Sequence, residues 1–440
     1  MYMEVFMNSK VRKYLTVITL GLAGGSIYFL PYVKYIFYDA QLAAMHMSNT
    51  QSGLLLTMYT VGNMILYIPG GIIADKVSPK KALMISLLST SALAYLYAFT
   101  MNFKIAMFIW MGLSFSTAFV FWSALMKAVR IIGTEEEQGF MYGLYYACNG
   151  ITAALTNTLA LNIYKTAGGD MEQGFFRAVL AGGSVAILAA ILLFFLMKGS
   201  DKQEEKAGGG EPKFNMGDVG KLLKNPVVWI VSFTIFCGYG FYTSISYFNP
   251  YLTEVIGVSP ESSGFISIVR NYLLLLLAPV GGIIADKIFK STCKWLSTAF
   301  IILAALFGAV LILPSGISPM AASLYTLIPG AFAMMMYGVV FSTVSEAGIP
   351  RVMTGTVIGI ASIIGYLPDS IYSVLFGKWL DSFGGTGYNF IFGFLAVSGL
   401  VGATLAMLIY RHGKKAKQGN AVWRVALDGT RKRQGKQSPL

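Results

Sequence analysis

Apolar runs close to the roughly 20 residues that carry a helix across a hydrocarbon core of about 30 Å recur from one end of this chain to the other. They fall near 14–38, 51–73, 82–101, 104–126, 139–164, 175–198, 226–250, 262–285, 294–313, 319–345, 353–378 and 388–410. Such a pattern leaves little choice of architecture. In lipid every backbone N–H and C=O must find a partner within the protein, which helices achieve on their own. An all-α integral membrane protein with twelve transmembrane helices is therefore expected. Composition agrees: 55% hydrophobic against 12% charged residues leaves too little polar surface to coat a water-soluble body of 440 residues. Gly and Pro inside several runs do not count against a span, because neighbouring helices re-satisfy the freed backbone groups.

The heptapeptide GGIIADK occurs twice, at Gly70 to Lys76 and at Gly281 to Lys287, about half a chain length apart and each time where an apolar run ends. Duplication of one unit is the simplest cause. The chain then divides into a first six-helix bundle (1–198), a polar linker (199–225), a second six-helix bundle (226–410) and a basic tail (411–440). The linker alternates charges around Gly208-Gly209-Gly210 and reads as flexible, so that the halves are free to move as separate bodies. Duplicated halves in a membrane protein point to a transporter.

Basic residues flanking spans are retained on the cytoplasmic side. With twelve spans, 27 of the 33 Lys and Arg residues fall on one side and four (Lys104, Lys165, Arg177 and Lys378) on the other; Lys34 and Arg270 lie within spans. This asymmetry predicts both termini in the cytoplasm and a protein of the cytoplasmic membrane. It also accounts for the net charge of +13 without any nucleic-acid partner, since a basic juxtamembrane tail suits anionic headgroups. A monomer in the bilayer is expected.

Enzymatic readings find no support in the residues. His46 and His412 are the only histidines, one on each predicted side of the membrane, and cannot share an acid-base or metal site. Cys148, Cys237 and Cys293 are scattered and odd in number, as small packing residues are. No Gly-Lys-Ser or Gly-Lys-Thr phosphate loop is present, so the driving force is expected from a proton gradient, a counter-anion or the solute itself. No cofactor or metal is expected. The first apolar run is too long for a signal-peptide core and reads as a retained span.

The stretch from Gly71 through Ile72, Ile73, Ala74, Asp75, Lys76, Val77, Ser78 and Pro79 to Lys80 and Lys81 resembles the signature between the second and third helices of the major facilitator superfamily. There a Gly is followed four residues later by Asp and then by a basic pair; Pro79 stands where a Gly is usual. The second copy, Gly282 to Lys287, matches with a looser basic end. The resemblance implies that Asp75, with Lys76, latches against the start of helix 11 near Met353 to Gly355, with Arg130 nearby, and that Asp286 and Lys287 repeat the arrangement. The basic pair is expected among lipid headgroups. Gly139 and Gly143 in helix 5 repeat in Gly355 and Gly359 of helix 11, a spacing that favours close helix contacts.

The same resemblance implies a central cavity lined by helices 1, 2, 4, 5, 7, 8, 10 and 11. A charge inside the bilayer is costly enough to be functional by default. Lys34 after Pro31, Arg270 in helix 8 and Asp369 after Pro368 are the candidates. Asp369 reads equally as a proton carrier, a substrate ligand or the ion-pair partner of Arg270. Polar residues at helical spacing add Tyr146 and Asn149 from helix 5, Asn271 beside Arg270, and Tyr366 from helix 11. Of Tyr239, Tyr242 and Tyr247 in helix 7, only Tyr242 is expected at the site, because aromatic residues near a membrane boundary are usually belt anchors.

Two bases against one acid favour a small organic anion, such as a carboxylate, sulfonate or phosphate ester. Asn225 to Trp229, Pro250 to Leu252, Gly355-Thr356, Gly359, Gly365 to Leu367, Asp381 and Phe383-Gly384 resemble the organophosphate and anion antiporter branch of the superfamily. That branch carries bases on helices 1 and 7, whereas helix 7 has none here. The expected activity is secondary active transport by alternating access, through proton symport or anion exchange. A transporter-like receptor that senses a solute is the rival.

Overall fold

The computed structural model describes residues 9–119, 121–132, 138–197, 222–313, 316–349 and 354–417. Among them the chain is helical and antiparallel neighbours follow one another in order. The first six helices are α1 (Ser9–Ile27), α2 (Asn49–Lys76), α3 (Pro79–Thr100), α4 (Phe103–Ser114 and Phe121–Ile132, joined by a wide turn at Phe115–Phe119), α5 (Gln138–Lys165) and α6 (Met171–Leu196). The second six are α7 (Pro226–Ser244, continued by Phe248–Glu254), α8 (Pro260–Ile268, continued to Phe289), α9 (Thr292–Val310), α10 (Pro319–Tyr337, continued by Thr343–Glu346), α11 (Thr354–Gly365 and Pro368–Phe383) and α12 (Gly387–Lys417). Both ends of the described chain lie at one face of the bundle, here the near face; the turns before α2 and after α11 lie at the far face.

Eight stretches of the described chain are long and apolar enough to cross a membrane, and the last of these, Val357–Lys415, holds both α11 and α12. The helices outside that set are α1, α2 and α5. Two of them carry polar residues along their length: α2 has Ser52, Thr57, Thr60 and Asn63, and α5 has Asn149, Thr152, Thr156 and Asn157. Helices that give up hydropathy in this way line an interior rather than lipid.

Local sequence chemistry sets where the helices begin. Ser78-Pro79, Asn225-Pro226, Ser259-Pro260 and Ser318-Pro319 each place a capping oxygen before a Pro in the first turn of α3, α7, α8 and α10. The side chain accepts from a first-turn N–H, and Pro takes a position whose N–H has no intrahelical partner anyway.

The basic pair after α2 also makes contacts within the protein. Lys80 does not reach for headgroups alone: its Nζ donates to the carbonyls of Phe194 and Met197, both at 2.6 Å, at the C-terminal end of α6. Arg12 Nε donates to the Leu196 carbonyl at 2.8 Å. Cations at a helix C-terminus satisfy orphan carbonyls and oppose the negative end of its dipole. The first basic residue of the pair therefore ties α3 to α6.

The close glycine contacts also lie elsewhere than expected. A Cβ at Gly143 or Gly359 would meet nothing within 4 Å, so these two are not contact glycines. Gly139 and Gly355 lie outside the residues whose side chains are described. Instead, Gly21, Gly24 and Gly25 of α1 sit against Cys148, Asn149 and Thr152 of α5, and Gly53 of α2 sits against the Ser373 backbone of α11.

Candidate functional site

All three intramembrane charges lie where a helix is irregular. Lys34 is in a tight turn, Val33–Tyr35, that follows Pro31 at the end of α1. Arg270 is in a wide turn, Val269–Leu273, inside α8. Asp369 is in the first turn of the second segment of α11, after the chain breaks ahead of Pro368. Unwound backbone at membrane depth is tolerated where protein surrounds it, and such breaks mark binding sites in transporters. All three side chains are buried, at 5% exposure for Lys34, 0% for Arg270 and 3% for Asp369.

Asp369 is the hub. Its Oδ2 accepts from Tyr239 Oη at 2.6 Å and from Tyr32 Oη at 3.5 Å, and its Oδ1 accepts from Thr243 Oγ1 at 2.6 Å. Thr243 Oγ1 also lies 2.8 Å from Tyr35 Oη. One carboxylate thus gathers hydroxyls from α7 and from the end of α1, which belong to opposite halves. Lys34 joins one turn further along: its Nζ donates to Ser373 Oγ at 3.5 Å and stands 5.4 Å from the centroid of the Tyr247 ring. Asp369 and Ser373 share a face of α11, being four residues apart.

Aromatic rings wall this cluster. Tyr239 meets Tyr366 edge-on at 4.6 Å and Tyr242 at 5.4 Å, while Tyr242 stacks on Tyr337 at 4.2 Å. Tyr242 and Tyr366 are therefore placed beside Asp369. Tyr239 and Tyr247, set aside as boundary anchors, belong to the cluster as well. Nothing in their position along α7 distinguished them from belt residues; the signal was their spacing from Thr243, which puts all three on the side of α7 that faces α11.

Arg270 is placed apart from Asp369. Its guanidinium donates to Thr326 Oγ1 at 2.9 Å and Ser267 Oγ at 2.6 Å, and lies 5.7 Å from the Phe248 ring centroid. Its stem lies against Gly330, where a Cβ would come within 2.7 Å of Arg270 Cγ. Arg270 Nε is buried with no hydrogen-bond partner. The ion pair with Asp369 that the sequence left open is thus not formed: Asp369 spends its oxygens on hydroxyls, and the wide turn in α8 aims Arg270 at α10 instead.

Of the other expected residues, Asn271 donates to the Ser267 carbonyl and Asn149 to Tyr145 Oη, at 2.9 Å and 3.0 Å. Tyr146 is half-exposed and packs its ring 5.0 Å from Tyr145. The expected latch at Asp75, Lys76 and Arg130 falls on side chains outside the described residues, as do Met353 to Gly355. Asp286 and Lys287 are exposed at the near end of α8. Among the described residues no group of His, Cys, Asp and Glu is placed to hold a metal ion.

A helical membrane protein with buried charges gathered at helix irregularities has the features of a membrane transporter of the secondary type. The chain belongs to the Major Facilitator Superfamily, whose family model matches residues 14–373. It is 28% identical to the inner membrane protein YihN of Escherichia coli K12 over 406 residues, covering 91% of this chain and 96% of the relative. The inner membrane protein YqcE of the same organism is 27% identical over 379 residues, covering 85% and 89%. Among solved structures, a bacterial homologue of the human lysosomal transporter Spinster, inward-facing and occupied, superposes with a TM-score of 0.64 at 16% identity over 93% of this chain and 97% of that one. The nucleoside transporter NupG gives 0.67 at 13% identity over 92% and 99%. These structures share the fold. The chain is a multi-pass membrane protein that handles a small molecule, and transport rather than catalysis is the activity of its family.

Proposed function

We propose that this protein carries a small organic anion across the cytoplasmic membrane by alternating access, with both termini in the cytoplasm and as a monomer. The observation that carries the reading is Arg270, a fully buried guanidinium whose partners are two hydroxyls and a ring, with one nitrogen unpartnered. Desolvating a cation without an acid is costly, and proteins retain such a group where an anion will pair with it. Lys34 adds a second base, against the single acid Asp369. Charge-assisted pairing to a carboxylate, sulfonate or phosphate ester offsets the desolvation of both partners.

Asp369 supports a proton as the coupling ion. A carboxylate accepts from Tyr32, Tyr239 and Thr243, and adding a proton removes an acceptor site that helps hold α1 and α7 to α11. Loading the proton therefore loosens contacts between the halves. Anion exchange is the alternative coupling, and it requires no titration at this site.

The test is uptake into proteoliposomes by purified protein, with labelled carboxylates, sulfonates and sugar phosphates and with an uncharged nucleoside as control. The expected result is saturable uptake of one anion class, lost in Arg270→Ala. Uptake of the uncharged solute alone would overturn the reading. For coupling, Asp369→Asn is expected to abolish gradient-driven accumulation while counterflow persists; accumulation indifferent to an imposed pH gradient favours exchange.

A further inference from the structure

The first turn of α2 is only half capped by its own residues. Ser48 and Gln51 form a reciprocal capping box, in which Ser48 Oγ accepts from Gln51 N and Gln51 Oε1 accepts from Ser48 N. That leaves the N–H groups of Asn49 and Thr50. Both donate to Asp381 at the far end of α11, to Oδ1 at 2.9 Å and Oδ2 at 2.8 Å. The same carboxylate accepts from Asn49 Nδ2 and Thr50 Oγ1. One acid from the second half thus closes the open end of a helix of the first, where the helix dipole also favours negative charge.

The approach depends on Gly377, one turn before Asp381. A Cβ there would lie 2.6 Å from the Asn49 carbonyl oxygen and 2.8 Å from Thr50 N, closer than side chains tolerate. Gly377 and Asp381 repeat the Gly-x-x-x-Asp spacing of Gly71 and Asp75 in the duplicated heptapeptide. Further along the same two helices Gly53 sits on the Ser373 backbone, and Thr57 Oγ1 donates to the Ser370 carbonyl at 3.1 Å. Asp369, Ser373, Gly377 and Asp381 recur every fourth residue on α11, so a single stripe runs from the midplane carboxylate to the far-face cap.

We propose that Asp381, seated by Gly377 on the first turn of α2, is the latch that holds the far face closed, and that it must release for the substrate site to open on that side. Asp381 is exposed, so water can replace it on Asn49 and Thr50 when the helices part, which makes the contact reversible. The proposal rests on alternating access but on no particular solute, so a wrong assignment of the anion leaves its test unaffected.

The test uses protein with Cys148, Cys237 and Cys293 replaced by Ala and Thr57→Cys as reporter. Right-side-out and inverted vesicles present each face in turn to a membrane-impermeant maleimide. Asp381→Asn keeps the shape of the side chain but leaves one acceptor oxygen in place of two and no charge. It is expected to raise far-face labelling by roughly fivefold to tenfold, the scale of a lost charge-assisted contact. Asp381→Glu is expected to restore part of the slow labelling, which a merely structural role would not produce. Gly377→Val is expected to act in the same direction as Asp381→Asn by forcing α11 from α2; should it fail to fold, Asp381→Asn decides alone. Unchanged far-face labelling in folded Asp381→Asn, judged by an unaltered melting curve, overturns the latch whether or not transport is lost.

Discussion

Asp369 draws its importance from what it accepts. Three hydroxyls from α1 and α7 converge on it, and a hydrogen bond to an ionised group contributes about 1.5–3 kcal/mol, or roughly tenfold per 1.4 kcal/mol. Tyr239→Phe removes one of the two shortest without changing the ring packing. Transport is expected to fall about tenfold with little change in the melting temperature; an unchanged uptake rate would take Tyr239 out of the site. Arg270 allows a sharper separation. A buried cation with no acid partner carries a desolvation penalty that nothing offsets, and a hydrophobe of similar length removes it. Arg270→Met is therefore expected to keep or raise the melting temperature while abolishing anion uptake, and a large drop in stability with normal uptake would make Arg270 a structural residue. Lys34, Arg270 and Asp369 were legible in the sequence because charge within a span is rare and costly. Tyr239 and Tyr247 were not, since a tyrosine near a span end looks the same whether it faces headgroups or a carboxylate.

Single helices show why side-chain direction was harder to read than position. A straight α8 would carry Arg270 and Asn271 on faces set by 3.6-residue periodicity, but the wide turn at Val269–Leu273 and the tight one at Leu274–Leu277 shift that register. Such irregularities leave only faint traces in sequence, here Pro279 beyond a run of leucines. Helix starts were more legible, because Ser-Pro and Asn-Pro pairs announce them. A second cap supplied from a distance is Glu346, at the end of α10, which accepts from Thr292 N at 2.6 Å, Cys293 N at 2.9 Å and Ser291 Oγ at 2.9 Å. The carboxylate satisfies the first turn of α9 and faces the positive end of its dipole. Glu346→Ala is expected to cost about 1–2 kcal/mol, the range of a lost N-cap, seen as a lower melting temperature. An unaltered melting curve would show that water replaces the carboxylate without loss.

For the molecule as a whole, the duplication and the span pattern of the sequence are enough to define the fold, because each span is specified by its own run of residues. The contacts between the halves are not specified in that way. Asp369 with Tyr32, Asn249 with the carbonyls of Tyr35 and Ile36, Thr57 with the Ser370 carbonyl, and Asp381 with Asn49 and Thr50 join residues hundreds of positions apart. They run from the midplane to the far face, so this is a conformation closed on that side. If the halves rock as rigid bodies about the site, these contacts must break together in every cycle. Placing Cys at both Asn49 and Asp381, in protein without its native thiols, puts two thiols where the side chains now meet at 2.9 Å, within reach of a short, cleavable bifunctional thiol reagent. Cross-linking is expected to stop whatever net transport the uncross-linked double-Cys protein shows, and reagent cleavage to return it to that level. The cross-linked protein should still be stabilised by its anion, because ligand bound to a folded state must raise the melting temperature and the near-face route stays open. Transport that continues through the cross-link would mean that solute passes without parting α2 from α11, and rocking of the halves would fail as the mechanism.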